Sequence, residues 1–416
     1  MKVLSNRTQT FIKKCFQKID IEILGKTIKI AIYTGLVPST TFIERLIQGL
    51  AHNGLHIYLF GLQRRQSIPL KNVFHFTYTK TFSKLFILIK YSFLLTILKA
   101  RDKRKLDVFI ANQIKNSIQL KIKYYPVLYH RPDIFHLQWA KSIADWLWVQ
   151  EFGIKLIVSL RGAHINYSPI ANPELAVVYK NLFPKVDGFH AVSKAISEEA
   201  IKYNAVKSKI HLVYSGLELE EMPFQLKKFD ESKPLAILSI GRAHWKKGYS
   251  YALDAMNLLE KDTIDFNYTL VGVENDEELL YKRSQFKLEN KITFKGTLSF
   301  TEIVKEIREA DVLLLSSVEE GIANVVLESM ALGTLVISTD CGGMNEVIID
   351  CENGFLVPVR DHEAIANALK KVSELTLSTY QQITKAARVT IEKQHSSEKM
   401  NSGMQTLYQK ILNNKL

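Results

Sequence analysis

The chain alternates short apolar runs with longer amphipathic stretches over most of its length. The first run, "TIKIAIYTGLVP" (Thr27–Pro38), is strand-like and ends at a glycine and a proline. "LHIYLF", "NVFHFTY", "DVFIA", "DIFHL", "KLIVSL", "DGFHAVS" and "IHLVYS" read as further strands, with helix-length segments between most of them. Strand and helix in alternation predict a parallel sheet covered by helices. Gly216–Pro234, "GLELEEMPFQLKKFDESKP", breaks the pattern: it is polar, holds two prolines and has no sustained period, which marks a linker. The alternation restarts with "LAILSIGR", "NYTLVGV", "KITFKG", "DVLLLSS" and "TLVISTD". The fold class expected is α/β, with two doubly wound parallel-sheet domains and a ligand crevice at the carboxyl ends of their strands. Its parts are a basic lead-in over 1–26, an amino-terminal domain over 27–215, a linker over 216–234 and a second domain over 235–377. Helices over 378–416 are expected to pack back toward the first domain.

Leu85–Leu98, "LFILIKYSFLLTIL", is shorter than the roughly 20 residues that span a bilayer. It contains Lys90 and is flanked by Lys84 and by "KARDKRK" (Lys99–Lys105). Apolar residues cover most of its helical circumference, which fits either a buried helix or a helix dipping into an anionic membrane face.

A length of 416 residues exceeds one ordinary core. Hydrophobic residues at 47% and charged residues at 23% describe a folded globular chain and exclude a disordered one. The formal net charge of +13 points to anionic partners: phosphate-bearing substrates, acidic head groups or nucleic acid. No basic-aromatic recognition motif supports nucleic acid. Cys15, Cys341 and Cys351 form no CxxC pair, which fits a reducing compartment, and no secretory signal is visible.

Chemistry concentrates in the second half. In "SIGRAHWKKG" (Ser239–Gly248) a strand ends at Gly241, and Arg242 and Lys247 follow in the loop before a helix. Arg242 can grip a diphosphate bidentately, Lys247 adds a compact charge, and the helix adds its amino-terminal dipole. The alternative for both is a solvated loop charge. Gly272 and Gly296 end later strands on the same rim. In "EEGIANVVLE" (Glu319–Glu328) Glu320 sits in a loop after the strand Val312–Leu315, and a helix is expected to begin near Ala323 with Asn324 as its cap. Glu328 then falls one turn into that helix. Dipole complementation and solvation are the plain reading of both acids. "DCGGMNE" (Asp340–Glu346) offers two consecutive glycines, either a turn or a place where amides approach an anion.

Taken in order, these motifs resemble the retaining GT-B glycosyltransferases of glycosyltransferase family 4, from about Ile28 onward and most tightly over Leu235–Val357. The resemblance rests on Gly241, Arg242, Lys247, Gly248, the E-x7-E segment Glu320–Glu328, and Gly342, Gly343 and Glu346. It implies two Rossmann-like domains and transfer of a sugar from a nucleotide-diphosphate sugar to a glycan acceptor, lipid-linked, in cell-surface polysaccharide synthesis. Such an acceptor would place a cytoplasmic enzyme at the inner face of the plasma membrane, where the basic surface and Leu85–Leu98 offer an anionic membrane surface as a partner; nucleic acid is not expected. Arg242 and Lys247 would hold the donor diphosphate. Glu320, with the backbone of Gly321, Ile322 and Ala323, would position the sugar hydroxyls. Glu328 would bind the ribose, Leu298 would lie near the base, and Gly35 would let the first domain approach the phosphates.

Departing diphosphate and developing oxocarbenium charge must be stabilised during such a transfer. Cationic side chains and helix amino termini can do so without a metal, and the chain holds no D-x-D triplet. No cofactor beyond the donor itself is expected. The amino-terminal half departs from the family pattern. "STTF" stands where relatives carry "SETF", and "SLRGAH" puts Arg161 where they carry a histidine, with His164 beyond Gly162. Either residue is a candidate for that histidine's contact with the donor sugar. Two rival readings follow: a GT-B phosphorylase or sugar-nucleotide epimerase, and an inactive scaffold of a polysaccharide assembly complex.

Overall fold

The computed structural model describes residues 28–65, 69–79, 81–113, 117–230 and 232–413. The expected lead-in over 1–26 lies outside them. Two parallel sheets form, one of seven strands and one of six. The first contains β1 (Lys29–Val37), β2 (His56–Gln63), β3 (Val73–Tyr78), β4 (Ile134–Leu137), β5 (Lys155–Leu160), β6 (Gly188–Ala191) and β7 (Ile210–Leu212), in the order β3-β2-β1-β4-β5-β6-β7. The second contains β8 (Leu235–Ile240), β9 (Phe266–Val271), β10 (Ile292–Lys295), β11 (Val312–Leu315), β12 (Leu335–Thr339) and β13 (Phe355–Val357), in the order β10-β9-β8-β11-β12-β13. Each order reverses once, between β1 and β4 and between β8 and β11. At such a reversal an open α/β sheet places its ligand site, outside the carboxyl ends of the strands.

By its contacts the chain divides into two compact units. One comprises Met1–Gln138, Asp145–Ile157 and Tyr408–Leu416, the other Trp139–Ala144 and Val158–Leu407. The first has an aromatic centre, in which Trp146 stacks on Phe135 at 4.3 Å and meets Tyr33 edge-on at 4.5 Å. In the same unit buried His136 of β4 bonds through Nδ1 to the Tyr408 hydroxyl at 2.9 Å.

In the second unit, alternation along the strands builds a core on each face of the six-stranded sheet. Ile237, Tyr268, Val312, Leu314 and Ile337 pack on one side with Leu253 and Met256 of the Tyr249–Lys261 helix. Leu238, Leu313, Leu315 and Val336 pack on the other with Val326, Leu327 and Met330 of the Asn324–Leu332 helix. A buried hydrogen-bond chain crosses the switch: the Tyr268 hydroxyl donates to Ser239 Oγ at 2.8 Å, which donates to the Leu314 carbonyl at 2.6 Å. The irregular segment 216–234 is anchored, with Leu217, Met222 and Phe229 buried and the Arg388 guanidinium donating to the Met222 carbonyl at 2.9 Å.

One expected strand is a helix. "DVFIA" ends the helix Ala100–Ala111, because Leu106 and Ile110 are buried one turn apart while Val108 faces solvent. Asp107 adds an i,i+4 pair with Lys103 at 3.1 Å. No helix among the described residues is long and apolar enough to cross a membrane.

Ser159 and His190, neighbours on β5 and β6, form a buried pair at 3.0 Å, and His190 Nε2 lies 2.9 Å from the Val213 carbonyl. These partners fix a neutral ring that donates from Nε2 and accepts at Nδ1. Burial, helped by Arg161, pushes the His190 pKa down to about 3. The unfolded chain takes up this proton below about pH 6.5 whereas the folded one does not, so stability is lost as pH falls below that value. The limiting slope is about 1.4 kcal/mol per pH unit for one group. We expect the melting temperature to fall between pH 7 and pH 5, and His190→Asn to show a smaller fall from a lower starting point. An equal fall in the variant would assign the acid sensitivity elsewhere.

Candidate active site

The switch between β8 and β11 brings two loops together within the second unit. The β8 loop carries Arg242, Lys246 and Lys247, and the β11 loop carries Glu319, Glu320 and Gly321. Backbone bonds join them: Val318 N–H donates to the Lys246 carbonyl at 2.6 Å, and the Ser316 hydroxyl donates to the Lys247 carbonyl at 2.9 Å. Gly248 is required at this seam. Its φ is +62°, and a Cβ there would lie 2.0 Å from the Ser316 carbonyl oxygen.

Glu320 is the charge centre. Its Oε1 receives the Lys247 ammonium at 2.6 Å and the Ser317 hydroxyl at 3.3 Å, while Lys246 Nζ stands 3.5 Å from Oε2. Burial alone would raise its pKa, but the two ammonium groups outweigh burial and hold the carboxyl below its usual range. His244, on the same loop, has its pKa lowered by burial and then by Arg242, Lys246 and Lys247. The loop is therefore a concentrated positive field with one buried carboxylate inside it. Arg242 is exposed and forms no ion pair among the described residues.

The β12 loop closes the other side. Gly343 N–H donates to the Gly321 carbonyl at 2.7 Å. At Gly342, with φ of +57°, a Cβ would fall 1.8 Å from the Glu320 carbonyl oxygen. The two glycines thus serve loop packing. Glu346 accepts from the amides of Lys194 and Ala195 at 2.8 and 3.0 Å and from the Tyr214 hydroxyl at 2.9 Å, capping the helix Lys194–Ile201.

The β5 loop also reaches this group. An added Cβ on Gly321 would stand 3.7 Å from the Gly162 nitrogen. Asn166 Nδ2 bonds Glu319 Oε1, and also donates to the Glu320 carbonyl at 3.2 Å. Burial, more than any neighbour, raises the Glu319 pKa. Arg161 immediately precedes Gly162. His164 stacks on Trp139 with centroids 5.1 Å apart, and burial followed by Lys141 lowers its pKa to about 4, so the ring is neutral at pH 7. Trp245, 59% exposed, is braced by Tyr167 at 5.4 Å and presents an aromatic surface two residues from Lys247.

Gly321, Ile322 and Ala323 lead into the helix Asn324–Leu332. Ala323, rather than the expected Asn324, occupies the N-cap, and no side chain caps the helix. Its positive end remains available to a ligand oxygen. Glu328 is half-buried in mid-helix, and Leu298 packs against the adjoining core. Gly35 belongs to the other unit, where it lies late in β1 with φ of +83° and pairs with Gly61.

Within the second unit a cavity of about 320 Å³ opens beside the β8 loop, lined by Ala243, Gly272, Val273, Glu274, Asn275 and Thr297, among others. Gly272 and Gly296 were legible as rim positions. Glu274 and Asn275 were not, although "VENDEE", a polar run directly after a strand, was the available signal.

Residues 220–390 match the family model described as glycosyl transferases group 1. In fold the chain is similar to Anabaena Alr3699/HepE, solved in complex with UDP-glucose, with a TM-score of 0.70 at 17% identity over 92% of this chain and 100% of that one. The fold is thus the one seen in GT-B glycosyltransferase structures, two Rossmann-like parallel-sheet domains, and the match to the group 1 family model is confined to residues 220–390. Among curated proteins the chain is 27% identical over 295 residues to WcaL of Escherichia coli K12, a glycosyltransferase named for colanic acid biosynthesis, covering 68% of this chain and 71% of the relative. It is 30% identical over 255 residues to the amylovoran biosynthesis glycosyltransferase AmsK of Erwinia amylovora, covering 58% of this chain and 61% of that protein.

Gly342→Ala should force the β11 and β12 loops apart and lower the melting temperature by several degrees, as a cost of more than about 2 kcal/mol does in a domain of this size. Gly54→Ala, at positive φ but with nothing within 4 Å of the new Cβ, is the control for backbone strain alone. Equal losses in the two variants would show that the loop seam carries no special strain.

Proposed function

We propose that this chain is a retaining glycosyltransferase that moves a sugar from a nucleotide-diphosphate sugar to a glycan acceptor, lipid-linked, in the synthesis of a cell-surface polysaccharide. The observation that carries the reading is Glu320 held between Lys246 and Lys247 at the β8–β11 switch, beside an uncapped helix amino terminus.

Arg242 and Lys247 hold the diphosphate and stabilise its charge as it departs, which leaves no step that calls for a metal ion. Glu320 and the amides of Gly321, Ile322 and Ala323 take the hydroxyls of the donor sugar, and Glu328 takes the ribose. The base enters the cavity at Gly272–Asn275 and Thr297, next to Leu298. Arg161 or His164 contacts the donor sugar from the β5 loop. The acceptor hydroxyl oxygen bonds to the anomeric carbon as the carbon–oxygen bond to the diphosphate breaks. Its proton passes to the departing phosphate oxygen on the same face, which retains configuration. Trp245 and Tyr167 offer a ring face on which acceptor sugar C–H groups rest.

Thermal shift with UDP, GDP and ADP, followed by transfer assays with sugars of the stabilising nucleotide, tests this reading. One nucleotide should raise the melting temperature, and Lys247→Ala should abolish that rise. Glu320→Gln should separate two properties. Removing the carboxylate frees Lys247 for phosphate, so nucleotide binding is retained or tightened while turnover falls about 10²–10³-fold. A chain that responds to no nucleoside diphosphate would be a scaffold. One that turns over donor without an acceptor would be an epimerase.

A further inference from the structure

The helix Thr81–Leu98 has two apolar faces with different surroundings. Ile87, Tyr91 and Leu95 are at most 7% exposed, against the protein. On the opposite side Phe82, Phe86, Ile89, Phe93 and Ile97 are each at least 60% exposed. Their spacing of four, three, four and four residues draws one continuous stripe about 22 Å long. Isolated surface phenylalanines need no explanation, but an aligned row of this length marks an interaction surface.

Charge selects the occupant. The helix carries no acidic residue, and between residues 81 and 111 seven lysines and arginines stand against two aspartates. Both aspartates are engaged, Asp102 by Arg131 at 3.3 Å and Asp107 by Lys103 at 3.1 Å. Lys90, four residues after Phe86 and three before Phe93, flanks the stripe, and Arg101 and Arg104 are exposed just beyond its carboxyl end. A second copy of this chain, docked face to face, would set these cations against their own images. An anionic lipid surface satisfies both features, since the rings enter the acyl boundary while the cations meet the head groups.

We propose that the Phe82–Ile97 face docks flat on an anionic lipid surface as an interfacial helix. This goes beyond sugar transfer and does not depend on it. A helix that spans is excluded by the buried side, because Ile87, Tyr91 and Leu95 are already committed to the protein interior.

Flotation of the full chain with phosphatidylcholine vesicles, with and without phosphatidylglycerol and in the absence of nucleotide, provides the test. The wild type should float only with the anionic vesicles, and added salt should release it. Phe86→Ser/Phe93→Ser should lower the partition coefficient at least about tenfold, because two ring burials are lost. Lys90→Gln/Arg104→Gln should weaken binding to anionic vesicles alone. Both variants alter exposed positions, so their melting temperatures and nucleotide response should match the wild type. Equal flotation with neutral lipid, no flotation, or an unaffected phenylalanine variant would each overturn the proposal. So would wild-type self-association, measured by light scattering, that the phenylalanine variant abolishes.

Discussion

The buried carboxylate of Glu320 is the constraint around which the second unit is arranged. An ionised carboxylate shielded from water is costly unless paired and hydrogen-bonded. Here it receives Lys247, Lys246 and Ser317, supplied by two loops, with Lys247 and Glu320 73 residues apart in the chain. That pairing demands a close approach of loops, which only small residues allow. Gly248 fits against the Ser316 carbonyl and Gly342 against the Glu320 carbonyl for this reason. The strand order supplies the rest, since the β8 and β11 loops meet where that order reverses.

The same pairing shapes the electrostatics of the site. With Arg242, Lys246 and Lys247 on one loop, an uncompensated field would repel itself. Glu320 moderates that field without cancelling it. On the proposed function, an incoming diphosphate would meet Arg242, which forms no ion pair among the described residues, and would then compete for Lys247, so that the ligand's charge replaces charge already present. The uncapped helix at Asn324 adds donors that need no side chain and do not titrate.

Much of this was legible in the sequence because the relevant signals are local. Apolar runs separated by helix-length segments located all the described strands but Phe355–Val357, which is only three residues long, and the two-sheet α/β class followed from their alternation. "GRAHWKKG" and "EEGIANVVLE" marked the loops that the fold joins. What escaped was set by tertiary packing. "DVFIA" has strand composition, but the basic helix before it continues through Ile110 because Leu106 and Ile110 share one buried side. "DCGGMNE" allowed either a turn or an anion nest, and only the approach of Glu320 and Gly321 shows why neither glycine can carry a side chain. Glu346 looked like part of a ligand motif and proves to cap a helix whose Lys194 lies 152 residues earlier in the chain. The helix Thr81–Leu98 was ambiguous because periodicity sums both of its apolar faces, while the fold buries one and leaves the other bare.

Two of the seams between loops are main chain to main chain: Val318 to Lys246, and Gly343 to Gly321. Such bonds are indifferent to which side chains project from the same loops. Ile322, Trp245, Glu274 and Asn275 can therefore be exchanged with little effect on where the loops stand. The frame is fixed by backbone bonds while the projecting side chains are free to vary, so the chemistry presented at the crevice can change without changing how the loops fold.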